Sequence, residues 1–150
     1  MRRPMLVLLV LATALVAAGG ALHLRDWLST YRGVPWEVPG AWVVRVGFLV
    51  NAAVSVVVGV GLVAAAVRFR RLLGVVTLAA IGLQLASIAA VILSRHGGVF
   101  GWVERGWTTQ ARQALAVEIA AAVVLVAAKV AAGAGSLRGS HDVGRQGARL

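Results

Sequence analysis

Four long blocks of apolar residues divide this chain of 150 residues. They cover approximately residues 4–22, 41–67, 72–94 and 109–132. A helix that crosses the hydrocarbon core of a bilayer needs about 20 residues, and each block supplies about that many or more. The blocks are continuously apolar rather than alternating, so they predict helices and not the strands of a membrane barrel. We therefore expect an all-α, integral membrane four-helix bundle over residues 1–132.

Composition excludes several classes of function. Hydrophobic residues make up 60% of the chain and charged residues 13%, about half the charged share of an ordinary soluble domain. The absence of cysteine excludes disulfides, thiol catalysis and thiolate-bound metals. The sequence has no phosphate-binding loop, no dinucleotide-binding fingerprint and no Ser–His–Asp pattern. We predict no catalytic residues and do not expect an enzyme.

Arginines flank the four blocks unevenly. If the helices alternate in direction, one side of the membrane holds eight of them: Arg2, Arg3, Arg68, Arg70, Arg71, Arg138, Arg145 and Arg149. The other side holds Arg25, Arg32, Arg95 and Arg105. Because the side richer in Arg stays in the cytoplasm, the pattern predicts a multi-pass protein of the plasma (inner) membrane with both termini cytoplasmic. The net charge of +10 is spread between the blocks, so no nucleic-acid partner is expected.

The sequences at the two ends of the chain lead to two further predictions. The first block has a basic start and small residues near its end, so a cleaved signal peptide is an alternative to a first span. Its apolar stretch is longer than signal peptides usually have, which favours the span. The segment 133–150 is rich in Gly and basic, without apolar periodicity, and predicts a disordered cytoplasmic tail.

The first outer loop carries an amphipathic pattern. Leu24, Trp27, Leu28 and Tyr31 follow the i, i+3, i+4, i+7 spacing of one helical face. This predicts a short interfacial helix, or an outward extension of the first span. Pro35 then breaks the helix before the second span. All five Trp and the only Tyr fall on this outer side, which is typical of an aromatic belt and alternatively of an external binding surface.

Each block has one polar residue near its middle. At 1.5 Å per residue, Asn51 and Glu118 lie about 15 and 14 Å below the outer edge of their helices. Gln84 and Thr13 lie about 18 and 14 Å from the inner edge. The four therefore predict a polar layer at the midplane. Small residues at spacings of four, Gly82–Ala86–Ala90 and Ser55–Gly59, predict close helix packing.

Glu118 is the member of this layer that costs the most free energy to place in a membrane. A carboxylate facing lipid at that depth costs about 3 kcal/mol even on the lenient insertion scale, so it should face the bundle interior. Arg45, about 6 Å below the outer edge of its helix, is the expected partner. The layer then serves either as polar contact between helices or as a site for a ligand, proton or ion.

Two histidines lie at the outer ends of their predicted spans. His23 follows the first span and His96 follows the third. If they come close together, two imidazoles at one membrane face could ligate haem or a metal. Such ligands usually lie inside membrane helices rather than at their edges, so no cofactor and no metal ligand is predicted, with a His23/His96 site kept as the alternative.

Five short motifs resemble a group of small four-span membrane proteins of actinobacterial type. They are "ALHL" at 21–24, "YRGVP" at 31–35, "FLVNA" at 48–52, "VFG" at 99–101 and "VEIAA" at 117–121. The resemblance implies the same topology and implies that His23, Asn51 and Glu118 are typical of the group. It implies no activity. Heavy use of Arg, Ala, Val and Gly is likewise typical of a bacterial GC-rich genome.

Two functions agree with these features. The leading one is a non-enzymatic accessory or scaffold protein in contact with membrane lipid, which packs with itself as a homo-oligomer or with a larger membrane complex. The alternative is a small carrier or a cofactor- or ligand-binding protein that uses the midplane layer and the outer loops. Its hypothetical ligand-binding residues are Arg45, Asn51, Gln84, Glu118, His23, Tyr31 and His96. A water-accessible cavity at Glu118 favours the alternative, and a dry core favours the first.

Overall fold

The fold is known from a computed structural model that describes the backbone of residues 3–147 and the side chains of residues 3–133. Four helices follow one another: α1 (Arg3–Ser29), α2 (Ala41–Val67), α3 (Leu73–His96) and α4 (Thr109–Gly147). Each contains a stretch long and apolar enough to cross a membrane. The all-α class and the four candidate spans predicted from the sequence are confirmed.

Local chemistry explains where the helices begin and end. Thr108 caps α4, because its side-chain oxygen accepts a hydrogen bond from the N–H of Ala111 at 3.1 Å. Gly40 precedes α2 with a φ of 74°, a left-handed conformation that glycine adopts without a steric cost. Gly98, with a φ of 87°, ends α3, and its N–H donates to the carbonyl of Leu93 at 2.9 Å.

Helix α1 is longer than its apolar block. The predicted span ends at residue 22, whereas α1 continues to Ser29 and is followed by a short 3₁₀ turn, Tyr31–Gly33. Leu24, Trp27 and Leu28 therefore lie on an extension of the first helix, the second of the two arrangements that their spacing allows. A separate interfacial helix is not confirmed.

Helix α4 begins where predicted, at Thr109, and its candidate span ends at Gly133. The prediction of a disordered tail concerns residues 133–150. Residues 148–150, and all side chains beyond residue 133, lie outside the described part of the chain. The tail therefore stays a prediction.

The four helices pack in a ring. Helix α1 contacts α2 and α4, and α3 contacts the same two helices on the opposite side. The apolar core between them is made of small and branched side chains: Ala12, Val16, Val58, Leu62, Ala80, Ala121 and Leu125. This core lies towards the end that carries the α2–α3 connection with Arg68, Arg70 and Arg71, which we call the arginine end. The other end carries the α1–α2 and α3–α4 connections, and we call it the cap end.

The two rows of small residues face different ways. Ser55 and Gly59 of α2 are buried. Gly82, Ala86 and Ala90 of α3 are exposed, so close packing of another helix on that face stays a prediction. The buried face of α3 instead carries Thr77, Ala80, Gln84, Ser87 and Ser94. Because the spacing of four is common in Ala-rich spans, it does not say which face turns inward.

The connections at the cap end are ordered against each other. In the α3–α4 connection, Val99 and Trp102 form an isolated antiparallel bridge, with Phe100 and Gly101 at φ of 47° and 89° between them. Two consecutive positive φ angles are typical of a tight hairpin turn. Gly40 of the other connection lies so close that a Cβ there would overlap the backbone of Trp102. The two connections thus form one cap over the bundle.

Candidate functional site

Five polar side chains from all four helices form one hydrogen-bonded cluster inside the bundle. We call it the buried network, and its members are His23, Asn51, Ser55, Ser87 and Glu118. Each helix places one or two of them on its inward face. His23, Asn51 and Glu118 are among the hypothetical ligand-binding residues predicted from the sequence, whereas the two serines are not. The network lies between the apolar core and the cap.

An acid–base pair is at the centre of the network. His23 Nε2 and Glu118 Oε1 are joined by a hydrogen bond of 2.6 Å, and both side chains are almost fully buried, with 6% and 2% of their surface exposed. The hydroxyl of Ser87 donates to the same carboxylate oxygen. It also lies 3.2 Å from His23 Nε2. Glu118 is therefore held by α1 and α3 together.

Helix α2 extends the network on the far side of Ser87. Asn51 Nδ2 donates to Ser87 Oγ at 3.0 Å, and Ser55 Oγ donates to Asn51 Oδ1 at 3.3 Å. Ser55 and Asn51 are one turn apart on the same face of α2, which lets them bond to each other. The donors thus point in one direction, from Ser55 through Asn51 and Ser87 to Glu118, where negative charge is best stabilised.

A glycine allows the helices to come this close. A Cβ at Gly20 of α1 would lie 2.6 Å from the Cβ of Ser55 and 3.5 Å from the carbonyl oxygen of Ala52. Any side chain at position 20 would push α1 away from α2 at the level of the network. Gly20 is one helical turn from His23, so this close crossing also sets the position of the imidazole.

Three buried polar atoms have no hydrogen-bond partner within the described residues. They are His23 Nδ1, Glu118 Oε2 and Gln84 Oε1. An unpaired buried polar atom costs about 1–3 kcal/mol, so such atoms are commonly met by a water or a ligand. Whether neutral or protonated, the imidazole presents Nδ1 without a partner, because its only bonds are made by Nε2.

Arg45 is not the partner of Glu118, which corrects the predicted ion pair. Its guanidinium donates to the carbonyl of Val34 at 3.0 Å and lies over the ring of Trp36, 3.9 Å from its centroid. Arg45 is one turn from the start of α2, and its long side chain extends towards the cap, where the charge remains near water. Its backbone carbonyl accepts a hydrogen bond from Trp27 Nε1 at 2.8 Å.

The other two members of the predicted midplane layer stay outside the network. Thr13 donates to the carbonyl of Leu9, one turn back on its own helix, at 2.8 Å. Gln84 is 3% exposed and lies three residues before Ser87 on the same face of α3. Its Oε1 is one of the three unpaired atoms and makes no hydrogen bond to the network.

Tyr31 connects the network to the cap through stacked rings. Phe48 packs edge-on against His23, with centroids 5.1 Å apart, and stacks on Tyr31 at 4.3 Å. The Tyr31 hydroxyl donates to Glu104 Oε2 at 3.1 Å, and Trp102 Nε1 donates to the same oxygen at 3.1 Å. Direct contacts therefore connect the cap to the imidazole of His23.

His96 has a different environment from His23. It is exposed at the end of α3, where its Nδ1 donates to the carbonyl of Ile92 at 3.0 Å. Within residues 3–133, no group of three or more His, Asp or Glu side chains is arranged to hold a metal ion. The contacts of the two histidines give no support to a shared haem or metal, and that alternative stays a prediction.

Two depressions on the bundle lie away from Glu118. A groove of about 780 Å³ runs between α1 and α2 on the outside of the bundle and is lined almost wholly by apolar or small side chains, with Ser55 at its floor. A pocket of about 380 Å³ lies at the arginine end between α1, α3 and α4. Glu118 lines neither of them.

Comparison with protein-family models, with curated proteins and with solved structures found no match to this chain.

Proposed function

We propose that this chain is a non-enzymatic accessory or scaffold protein of the bacterial plasma membrane, with both termini cytoplasmic, which packs with itself or with a larger membrane partner. The observation that carries the proposal is the outward position of Gly82, Ala86 and Ala90 on α3. A Cβ at Gly82 would meet nothing within 4 Å. This row of small residues is therefore free to receive a second transmembrane helix at short distance.

The hydrogen bonds and the burial of Glu118 in the buried network support the same proposal. The carboxylate of Glu118 is bonded by His23 and Ser87 of its own chain, and Glu118 is only 1% exposed. A carrier needs a path for its cargo. The groove between α1 and α2 reaches Ser55 of the network but does not include this carboxylate, and neither does the pocket at the arginine end. A network that joins four helices is suited to keeping a scaffold in one fixed arrangement.

The experiment is the oligomeric state of the full chain in mild detergent, measured by native mass spectrometry. We expect dimers or larger assemblies. Gly82→Leu should dissociate them, because the leucine side chain would prevent a second helix from packing closely against α3. Gly47→Leu is the matched control, since Gly47 is also exposed on a helix with nothing within 4 Å of its Cβ. A monomeric wild type without any copurified membrane partner would contradict the proposal.

A second candidate function is favoured by a specific observation. His23 Nδ1, Glu118 Oε2 and Gln84 Oε1 are buried without partners, and together they suit a small polar ligand that both donates and accepts hydrogen bonds. The same purified protein then carries a bound small molecule, visible as an added mass or an absorption band, which Glu118→Gln removes. A wild type without such a molecule leaves the scaffold proposal as the better account.

A further inference from the structure

The pocket at the arginine end has an unusual charge pattern. It lies between the first turns of α1 and α3 and the later part of the α4 span, and Arg70 and Lys129 both line it. Lys129 is the only lysine of the chain. It belongs to the apolar α4 span, whereas Arg70 is in the α2–α3 connection. Two cations from separate elements thus border one cavity of about 380 Å³.

These two cations have no counter-ion in the described part of the chain. The four acidic residues of residues 3–133 are Asp26, Glu37, Glu104 and Glu118, and they lie in the buried network or at the cap end. The ion pairs among those residues join His23 to Glu118 and Arg25 to Asp26, at that same end. Two like charges beside one cavity repel each other, and an anion in the cavity would convert that repulsion into attraction.

The hydrogen-bonding capacity of the two cations is mostly unused within residues 3–133. Lys129 Nζ reaches the carbonyl of Gly74 at 3.5 Å, the outer limit of a hydrogen bond, and an ammonium has three N–H donors. A Cβ at Gly74 would lie 3.2 Å from Nζ, so the glycine gives the amine its place. The nearby hydroxyl of Thr77 donates to the carbonyl of Leu73 at 2.7 Å.

The walls of the pocket define the class of anion. Met5, Leu9, Leu73 and Ala128 make most of its surface apolar, and the surface continues onto helices that are apolar enough to cross a membrane. An anion that is strongly hydrated and fully polar gains nothing from such walls, whereas an amphiphile places its charge at the cations and its chain along the helices. Basic pockets between transmembrane helices are typical sites for acidic lipid headgroups.

We propose that this pocket binds the phosphate of an acidic phospholipid through Arg70 and Lys129, with the acyl chain along the apolar surface beside it. The inference is independent of the proposed scaffold function, because it depends only on the arginine end and not on the outward face of α3. It also assigns a role to Lys129, which the buried network does not use.

The test is native mass spectrometry of the full chain in mild detergent, titrated with phosphatidylglycerol or with phosphatidylcholine of the same acyl chains. We expect tighter binding of phosphatidylglycerol. The double variant Arg70→Gln with Lys129→Gln should weaken that binding about 30-fold, the loss expected for two cations beside an anionic lipid. Phosphatidylcholine binding should change much less.

The matched control is Arg68→Gln with Arg71→Gln, which removes two positive charges from the same end of the bundle, while neither residue lines this pocket and Arg68 borders the groove between α1 and α2 instead. It should keep the preference for phosphatidylglycerol. Equal losses in the two double variants would overturn the proposal, because the effect would then come from the basic surface as a whole. Equal binding of both lipids by the wild type, which requires no variant, would overturn it too. Displacement of the lipid by millimolar inorganic phosphate would assign the site to the free anion instead.

Discussion

His23 Nε2 in α1 lies 2.6 Å from Glu118 Oε1 in α4, so one contact joins the first helix of the bundle to the last. The contact explains how a carboxylate is accommodated among apolar residues. Glu118 faces the imidazole and the hydroxyl of Ser87 rather than lipid. Removing one partner of such a buried pair costs about 3–5 kcal/mol, although an apolar pair of the same size would often be as stable. The pair therefore specifies how the helices are arranged more than how stable they are.

The role of Ser87 can be separated from that of an ordinary helix serine. Ser87→Ala should lower the free energy of unfolding by about 1–3 kcal/mol, because Glu118 loses a donor and Asn51 Nδ2 loses its acceptor. Ser94→Ala is the control, since Ser94 is also buried on α3 but its hydroxyl bonds within its own helix, where it donates to the carbonyl of Val91 and accepts from the neighbouring Arg95. It should cost clearly less. Unfolding in mixed micelles measures the free energy of both variants. An equal loss would contradict a stabilising role for the hydrogen bonds that Ser87 makes to Glu118 and Asn51.

Gly20 is predicted to be the point where α1 and α2 tolerate no side chain. Gly20→Ala places a Cβ 2.6 Å from that of Ser55, and overpacking of this kind costs about 1–3 kcal/mol. Gly47→Ala should be neutral or stabilising, because a Cβ at Gly47 meets nothing within 4 Å and alanine favours the helix by up to about 1 kcal/mol. The same unfolding assay applies. A harmless Gly20→Ala would mean that the two helices are further apart than described.

The orientation in the membrane is predicted by the distribution of arginines. Reporter fusions at Arg70 and at Gly147 should both report the cytoplasm, and a fusion at Pro35 should report the other side. The cap end, with its ordered connections and aromatic rings, is then outside. A fusion at Gly147 that reports the outside would contradict the orientation, and would fit an inverted three-span protein whose first block has been cleaved.

The fold was largely predictable because long apolar blocks leave few alternatives in a membrane. Helix α2 spans the predicted residues, and α3 and α4 each begin within one residue of their predicted first residue. The end of α1 was missed, since hydropathy falls at His23, Arg25 and Asp26 while the helix continues to Ser29. A span defined by composition ends where the residues become polar, whereas a helix ends where its backbone conformation changes.

The members of the site were predictable only in part. The depth of a residue along a helix can be counted from the sequence, whereas the rotation of the helix about its own axis cannot. Counting placed Asn51 and Glu118 at one level, and the structure joins them through Ser87. Gln84 was chosen for its polarity, although Ser87, one turn nearer the cap, makes the contacts. The helical spacing of Gln84 and Ser87 on one face was the available signal. The predicted first span ends at residue 22, which puts His23 just beyond it, whereas α1 continues to Ser29 and includes His23.

The central claim is that His23 and Glu118 act as a pair, and a double-mutant cycle tests it most directly. We measure the free energy of unfolding in mixed micelles for His23→Gln, Glu118→Gln and the double variant. Each single change should cost about 3–5 kcal/mol, and the double variant should cost less than their sum by about 2–3 kcal/mol. A parallel cycle with His96→Gln, whose imidazole bonds to its own helix, should be additive. Losses for His23 and Glu118 that add to within about 0.5 kcal/mol would contradict the account.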